Sequence, residues 1–276
     1  VLACSPTHIK PVVLCNLLQG HGQGLKYTRG NLEFMCDLFA MSCNDEDRAT
    51  RSLPIFSEYA SRNPDGWGIG WFEGNSAVVH RAACRADWDD AFFDSIDEAR
   101  SRNLIAHIRY ATQGEPNDCN CHPFTRHHNG RDWMLAHNGW VTGAGGHPMA
   151  EGETDSETIF HEIMDKVSEY QDSGTFRGKY TALKKAIENV FNLYDGTINL
   201  NLLISDGNMM YAFNHYSSKP MYMLRRSKAY GDAILISTKE LTDENWEVIP
   251  RDRLLAINNG EIEMLSSPFF DEELDK

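Results

Sequence analysis

The pattern of hydrophobic and polar residues predicts two blocks of β-strands. In the first block, an apolar run at Met35–Met41 is typical of a buried strand, and alternating segments within Trp67–His80 predict a hairpin. In the second block, Thr197–Ser205 and Met209–His215 meet at an Asp-Gly pair, which strongly favours a hairpin turn. Six further segments are predicted as strands: Asn103–Tyr110, Asp132–His137, Met221–Leu224, Ala233–Ser237, Leu254–Asn258 and Glu261–Leu265.

Helical periodicity and capping signals predict four helical stretches. One follows Asn44–Asp47 and ends near residue 62, and another covers Asp87–Arg100, with acidic residues early, where the helix dipole favours them. Thr154–Glu157 is a capping box that opens a helix ending near residue 170, and a second helix follows over Phe176–Leu193. Because these two helices separate the strand blocks, we expect an α+β fold in which two sheets pack together with helices outside.

Residues 1–34 differ from the rest of the chain. Glycines interrupt any periodicity there, and no amphipathic stripe is visible. We therefore expect residues 1–35 to be an N-terminal extension and residues 36–276 to form the working domain.

Composition narrows the range of functions. With 276 residues, 41% hydrophobic and 24% charged, the chain is long enough to bury a large core. It contains no run of the roughly 18 apolar residues that a membrane span needs. A net charge of −14 disfavours nucleic acid as a partner, because phosphate binding requires clustered Lys and Arg. Seven cysteines, an odd number, are simplest to explain in a reduced, cytoplasmic protein.

Two predicted strand ends carry side chains suited to binding or catalysis. Arg109 ends one strand, where its guanidinium group can either fork onto a carboxylate or tie down its own loop. His137, Asn138 and Gly139 end another strand. That segment is either a plain turn or an oxyanion hole, in which the Asn138 amide and the Gly139 N–H face a developing negative charge. The pattern of residue types leaves both pairs of alternatives open.

Taken in order, several short motifs resemble the glutaminase domain of class II glutamine amidotransferases, such as glucosamine-6-phosphate synthase and glutamine phosphoribosyl amidotransferase. The resemblance covers roughly residues 36–260 and is closest to the small stand-alone members. Each motif is modest, but their shared order carries the resemblance. The motifs are Met35-Cys36, Asp65-Gly66-Trp67-Gly68-Ile69, His107-Ile108-Arg109-Tyr110-Ala111-Thr112, Asn120-Cys121-His122-Pro123, His137-Asn138-Gly139 and Thr154-Asp155-Ser156-Glu157.

The resemblance implies a four-layer αββα sandwich of the N-terminal-nucleophile hydrolase type. It implies that Cys36 is the first residue of the working enzyme and attacks the side-chain amide of glutamine, which releases ammonia and leaves a γ-glutamyl thioester. Asn138 and Gly139 would hold the oxyanion. No cofactor or metal is implied by this mechanism.

The resemblance also implies residues that bind and support the substrate. Arg109, with help from Thr112, would bind the α-carboxylate of glutamine, and Asp155 would bind its α-ammonium group. An acidic residue in the first turn of a helix also stabilises the helix dipole, which is the alternative role for Asp155. Candidates for residues around the site are His122, which matches a histidine of the sugar synthases, and the pair Trp67 and Gly68, which we interpret mainly as packing residues.

The mechanism requires a free α-amine on Cys36. Such an amine titrates near pH 7.7–8.0 and can accept the proton of a thiol that titrates near 8.5, without a histidine. A peptide bond to Met35 removes this base. We therefore expect residues 1–35 to be absent from the active form, either because Met35 is the true initiator or because the segment is a propeptide cut before Cys36.

One segment departs from the family's pattern. Where the large synthases carry Arg-Gly followed by an acidic residue, Ser and Ala-Gly, this chain has Arg62-Asn63-Pro64-Asp65-Gly66-Trp67-Gly68. The loop that covers glutamine in those enzymes is therefore not expected to be reproduced.

Two other functions are considered. A γ-glutamyl amide hydrolase would use the same machinery on a larger γ-glutamyl compound, which suits a stand-alone domain unless a separate synthase subunit docks to accept the ammonia. A non-catalytic metal-binding module would use Cys119, Cys121, His122 and either His127 or His128. Tetrahedral zinc sites usually place paired cysteines two to four residues apart with a distant second pair, so this spacing disfavours the module.

Overall fold

The structure is a computed structural model that describes residues 35–170, 175–226 and 232–270. Apart from Met35, the predicted N-terminal extension lies outside these described residues. In chain order the elements are β1 (Asp37–Asp47), α1 (Ser52–Ser57), β2 (Gly66–Glu73), β3 (Ser76–Ala82), α2 (Asp90–Glu98), β4 (Ser101–Arg109), β5 (Phe124–His128), β6 (Arg131–Val141), α3 (Asp155–Glu169), α4 (Phe176–Leu193), β7 (Ile198–Ser205), β8 (Met209–His215), β9 (Tyr222–Arg226), β10 (Ala233–Ser237), β11 (Glu247–Val248), β12 (Leu254–Asn258) and β13 (Glu261–Leu265).

These strands form two antiparallel sheets. The order in the seven-stranded sheet is β11-β9-β10-β1-β4-β2-β3, and the order in the six-stranded sheet is β13-β12-β8-β7-β6-β5. Strand β1 therefore lies between β10 and β4, at the centre of its sheet. Cys36 directly precedes β1, so its backbone is held close to the middle of the molecule.

Three hydrophobic clusters separate the layers. One lies between the sheets and includes Leu38, Met134 and Leu203. A second cluster, with Phe92, packs α1 and α2 on the outer face of the seven-stranded sheet, and a third, with Phe160, packs α3 and α4 on the outer face of the other sheet. The layers therefore follow the order helix, sheet, sheet, helix, which confirms the predicted fold class.

Strand β2 shows how the sequence positions the layers. Its large residues Trp67, Ile69 and Trp71 alternate with glycines and lie in the outer cluster. A Cβ on Gly68 would lie 1.9 Å from the carbonyl oxygen of His122, so any side chain there would push that residue away. The glycine face of β2 thus lets the His122 segment lie directly against the sheet.

The boundaries differ from the sequence predictions in several places: α1 and α2 are shorter than predicted, and the short strand β11 was not predicted. Strand β1 continues through Asn44–Asp47, which were expected to lead into a helix, because Asp47 still pairs with Ser101 of β4 after a register shift. Strand β5 was not predicted, since only its first residue, Phe124, is buried and apolar. Strand β6 runs on to Val141, so Asn138 and Gly139 lie within a strand and do not form a turn.

None of the helices in the described ranges combines the length and hydrophobicity that crossing a bilayer requires.

Candidate active site

The Cys36 thiol lies against the end of strand β4. Its Sγ is 3.3 Å from both the carbonyl oxygen and the backbone nitrogen of Tyr110, so it donates to one and accepts from the other. Burial raises the pKa of the thiol to about 11, although Tyr110, Lys219 and Arg109 oppose the shift. The thiol is therefore protonated at neutral pH and needs a base in order to react.

Arg109 lies at the end of β4, beside Cys36, and is 3% exposed. Its guanidinium group donates to the carbonyl oxygens of Gln113 and Gly114, both at 3.0 Å, and makes longer contacts with those of Asp65 and Glu115. The structure thus shows the loop-tying role directly. The same loop carries Thr112 to the cavity wall, and Arg109 lines the cavity as well.

Asp65 also shapes this loop. One of its carboxylate oxygens accepts from the backbone nitrogen of Ala111 at 2.7 Å, and its own nitrogen donates to the carbonyl of Arg109 at 3.1 Å. Asn63 donates to the Asp37 carboxylate at 2.8 Å. Asn63 and Asp65 lie in the segment that departs from the family's pattern, and their hydrogen bonds hold both the start of β1 and the loop that follows Arg109.

Asn138 and Gly139 approach Cys36 from the other sheet. Asn138 is fully buried, and its amide nitrogen donates to the carbonyl oxygen of Cys36. Gly139 has φ of +141°, and a Cβ there would lie 2.0 Å from the carbonyl of Asn199 on strand β7, so only glycine fits this position. The two residues expected to form an oxyanion hole are thus fixed beside the nucleophile by the β6–β7 pairing.

Asp155 is the first residue of helix α3 and is buried. One carboxylate oxygen accepts from the backbone nitrogen of Val141 at 2.8 Å, and the other accepts from that of Ser156 at 2.8 Å. Thr154 caps the helix by accepting from the nitrogen of Glu157. The carboxylate is therefore held rigidly, with the helix dipole supporting its negative charge.

One cavity brings most of these predicted residues together, whereas Asn138 does not line it. Its volume is about 20 Å³, roughly the space of one water molecule. The residues that line it are Cys36, Arg109, Tyr110, Thr112, Gln113, Asn120, His122, His137, Gly139, Thr154, Asp155 and Ser156.

The three candidates for supporting residues occupy different places. His122 lines the cavity, and its ring lies 4.1 Å from that of His107, centroid to centroid. Burial holds the pKa of both imidazoles well below the usual range, so both are neutral. Gly68 lies beneath the His122 carbonyl, whereas Trp67 points away from the cavity, into the outer core, and donates to Asp89 at 2.9 Å.

Lys219 contacts Cys36 and was missed by the sequence analysis. It is 3% exposed, and its ammonium group contacts the carbonyl oxygens of Met35 and Cys36 and, at 2.9 Å, the carboxylate of Asp37. Lys219 lies in the turn between β8 and β9, 183 positions from Cys36. No motif marks it, because its proximity arises only from sheet pairing.

The alternative of a metal-binding module receives no support from the geometry. In the part of the chain that the structure describes, no three His, Cys, Asp or Glu side chains form a group that could hold a metal ion. Cys121 donates instead to backbone carbonyls, and His122 packs between the rings of His107 and Phe124.

Comparisons with known proteins agree with the resemblance that the sequence motifs indicate. The family model described as class II glutamine amidotransferases matches residues 35–235. A predicted glutamine amidotransferase of Haemophilus influenzae is 31% identical over 273 residues, which cover 86% of this chain and 90% of that protein. A γ-glutamyl-hercynylcysteine sulfoxide hydrolase of Mycobacterium tuberculosis is 29% identical over 215 residues, covering 76% of this chain and 82% of the relative.

A solved structure shares the fold. A predicted glutamine amidotransferase from Pseudomonas aeruginosa superimposes with a TM-score of 0.60, at 23% sequence identity. The match covers 83% of this chain and all of the other. The two-sheet sandwich is therefore the architecture of known proteins of this type.

Proposed function

The chain belongs to the family of class II glutamine amidotransferases, and we propose that it hydrolyses the side-chain amide of glutamine through a γ-glutamyl thioester on Cys36. One observation carries the proposal. Segments far apart in the chain bring a thiol, a cationic side chain, a hydroxyl group, a glycine and an anionic side chain to the wall of one cavity: Cys36, Arg109, Thr112, Gly139 and Asp155.

In the proposed mechanism, the α-amine of Cys36 accepts the thiol proton when residue 36 is the first of the chain. Sγ then attacks the amide carbon of glutamine, and the electrons of the C=O bond move onto its oxygen. Asn138 Nδ2 and the Gly139 N–H stabilise this oxyanion. The α-ammonium returns a proton to the departing nitrogen, ammonia leaves, and water hydrolyses the thioester.

The polar ends of the cavity suit the α-substituents of the substrate. We assign the α-carboxylate to Arg109 and Thr112, and the α-ammonium to Asp155. Arg109 already holds its own loop, so we propose that it acts both by shaping the Thr112 wall and by its positive charge. Asp155 keeps its carboxylate fixed by two backbone N–H groups, which prepares it to meet a cation.

A second candidate is the hydrolysis of a larger γ-glutamyl amide. The relative named as a γ-glutamyl-hercynylcysteine sulfoxide hydrolase supports it, because this chain aligns with 82% of that protein. The γ-glutamyl group would bind as glutamine does, and an amine would leave in place of ammonia. If glutamine is the substrate, a separate synthase subunit that consumes ammonia is a candidate partner.

Amide hydrolysis by protein beginning at Cys36 tests the proposal. Release of ammonia or amine is measured across glutamine, asparagine, glutathione and other γ-glutamyl amides, and 6-diazo-5-oxo-norleucine is used as a glutamine-like electrophile. We expect hydrolysis of at least one γ-glutamyl amide, loss of that activity in Cys36→Ala, and labelling of Cys36. The matched Cys84→Ala variant should stay active, since Cys84 lies outside the cavity. Labelling of other cysteines, or full activity in Cys36→Ala, would contradict the mechanism.

A further inference from the structure

The buried Lys219 has no role in the mechanism described above, yet it contacts the nucleophile's own backbone. Its ammonium group donates to three acceptors: the carbonyl oxygens of Met35 and Cys36 and the carboxylate of Asp37. A neutral amine has only two N–H groups, so the three hydrogen bonds that form while Met35 is present require the charged form. The Asp37 carboxylate, at 2.9 Å, still favours the charged form when Met35 is absent. Burial lowers the pKa of Lys219, and the contact with Asp37 opposes this shift.

The position of Lys219 is fixed by its surroundings. Asn201 is a fully buried residue of β7, and its side-chain amide donates to the backbone carbonyl of Lys219 at 2.7 Å. The backbone nitrogen of Lys219 donates to the carbonyl of Tyr216 at 3.1 Å. Asp37 is anchored in turn by Asn63 and Thr238, both at 2.8 Å. The backbone of Lys219 and the Asp37 carboxylate are therefore both anchored, and together they hold the ammonium group at a defined place beside residue 36.

We propose that Lys219 is a positioning residue for the nucleophile: it fixes the backbone around Cys36 and keeps the free α-amine of that residue neutral and able to accept a proton. The proposal rests on the proposed N-terminal-nucleophile function. The contact with the Met35 carbonyl shows where the ammonium lies, because that carbonyl is bonded directly to the nitrogen of Cys36. Once residue 36 is the first residue, Lys219 lies next to its amine.

The electrostatic consequence has a definite sign. A positive charge within about 4–6 Å disfavours a second positive charge, so Lys219 lowers the pKa of the adjacent α-amine. It also stabilises the Cys36 thiolate, which opposes the effect of burial on the thiol. The amine acts as a base only above its own pKa. Lys219 therefore extends activity towards lower pH.

Other charged and titratable groups also face this region. Asp37 opposes the effect of Lys219 on the thiol, and Arg109 reinforces it. On the thiol, the influence of Lys219 exceeds that of Asp37, so the pair has a net positive effect. Further titratable groups lie around the same cavity or beside it: Tyr110, Cys121, His122, His137 and Asp155. The positive charge of Lys239 also acts on Lys219 and lowers its pKa. Both histidines are buried with lowered pKa values, so they add no charge at neutral pH.

The test compares Lys219→Met with Lys219→Arg, each in protein that begins at Cys36. We measure kcat/KM for amide hydrolysis against pH, and the rate at which iodoacetamide alkylates Cys36, followed by peptide mass spectrometry. For Lys219→Met, the acid limb of both profiles should move to higher pH by about one pH unit. Both rates at pH 7 should then fall about tenfold and recover at alkaline pH. Lys219→Arg keeps the charge and should stay close to the parent profile.

A matched double variant guards against misfolding. Removing Lys219 alone leaves Asp37 buried without its cation, which destabilises the fold, whereas Lys219→Met with Asp37→Asn removes both charges. That variant should fold and show a smaller shift in the same direction. Acid limbs that coincide with the parent in folded variants would overturn the proposal, as would a loss of rate that is equal at every pH.

The alkylation assay separates this proposal from the proposed function. It needs no substrate, so it reports on Lys219 even if the parent protein hydrolyses none of the amides. In that case a shifted alkylation profile would support the role of Lys219 while the glutaminase assignment failed. If the parent protein hydrolyses an amide but the alkylation profile of Lys219→Met is not shifted, the glutaminase assignment would stand and the role of Lys219 would fail.

Discussion

At the residue scale, Asn138 and Arg109 make different contacts, so replacing Asn138 should mainly affect kcat and replacing Arg109 should mainly affect KM. Asn138→Ala removes the amide that donates to the Cys36 backbone carbonyl in this structure and that we assign to the substrate oxyanion during the reaction. We expect kcat to fall by about 10²–10³ with little change in KM. Asn103→Ala is the control, because that buried amide donates to Gly207, away from the cavity. An unchanged kcat would leave Asn138 with a structural role in strand β6 only.

Arg109→Lys should act mainly on KM. Lysine keeps the positive charge but replaces a planar group that donates to several loop carbonyls with a single point charge. We expect KM to rise about tenfold or more while kcat changes less. Arg126→Lys is the matched control, since Arg126 likewise donates to a backbone carbonyl, and to a carboxylate as well, but does not line the cavity. The variants are compared by steady-state kinetics and by thermal unfolding. If Arg109→Lys lowers stability but leaves KM unchanged, Arg109 only stabilises its loop.

The sequence identified some of the cavity residues and not others, for a physical reason. Cys36, Arg109, Thr112, Gly139 and Asp155 stand in short motifs, and the structure brings all of them to one cavity. Asn120 stands in one of these motifs but was given no role, and Lys219, which lies beside the cavity, stands in none. The contacts of both residues depend on long-range packing: Lys219 reaches across to the start of β1, and Asn120 accepts from the backbone nitrogen of Glu153 at 2.8 Å. Such pairs leave no local pattern. The orientation of Trp67 away from the cavity likewise follows from strand alternation in β2 and agrees with its interpretation as a packing residue.

At the scale of elements, the start of helix α3 links stability to the site. Thr154 caps the helix and lines the cavity, next to Asp155. Thr154→Ala should lower the free energy of unfolding by about 0.5–2 kcal/mol and also raise KM, because Asp155 loses its fixed position. Thr175→Ala removes the equivalent cap of helix α4, where Thr175 accepts from the nitrogen of Gly178. It should cost similar stability and leave KM unchanged.

Thermal unfolding and steady-state kinetics on both threonine variants check this prediction. Thr154→Ser keeps the hydroxyl group and should restore both properties. Equal KM values for the two alanine variants would show that the α3 cap supports the helix without positioning Asp155.

The elements that could be predicted share a clear pattern of burial. Helices α3 and α4 carry apolar stripes and caps, and β7 and β8 meet at an Asp-Gly turn, so both pairs lie where the sequence placed them. Strand β5 is an edge strand with one buried apolar residue, and pairing with β6 defines it. The far end of β1 is polar and exposed, so its strand conformation comes from its register and not from alternation. Edge and end segments are thus where sequence patterns carry least information.

At the scale of the whole molecule, the peptide bond between Met35 and Cys36 determines whether the proposed chemistry can occur. In the structure the nitrogen of Cys36 is acylated, and Met35 is held by Tyr216, whose hydroxyl lies 2.8 Å from its sulfur, and by Lys219. An acylated nitrogen is not a base. The buried thiol, with its raised pKa, then has no proton acceptor of the kind this mechanism uses.

We therefore predict that the active form begins at Cys36. Removing Met35 exposes an α-amine beside Lys219 while β1 keeps its central place between β10 and β4, so the fold does not depend on the lost residue. Two proteins test this: one in which Met35 is the initiator, and the full 276-residue chain. Intact mass and N-terminal sequencing should show Cys36 first in every active sample, with activity in the longer protein proportional to the cleaved fraction. Full activity in protein that still carries residues 1–35 would refute the α-amine mechanism for this chain.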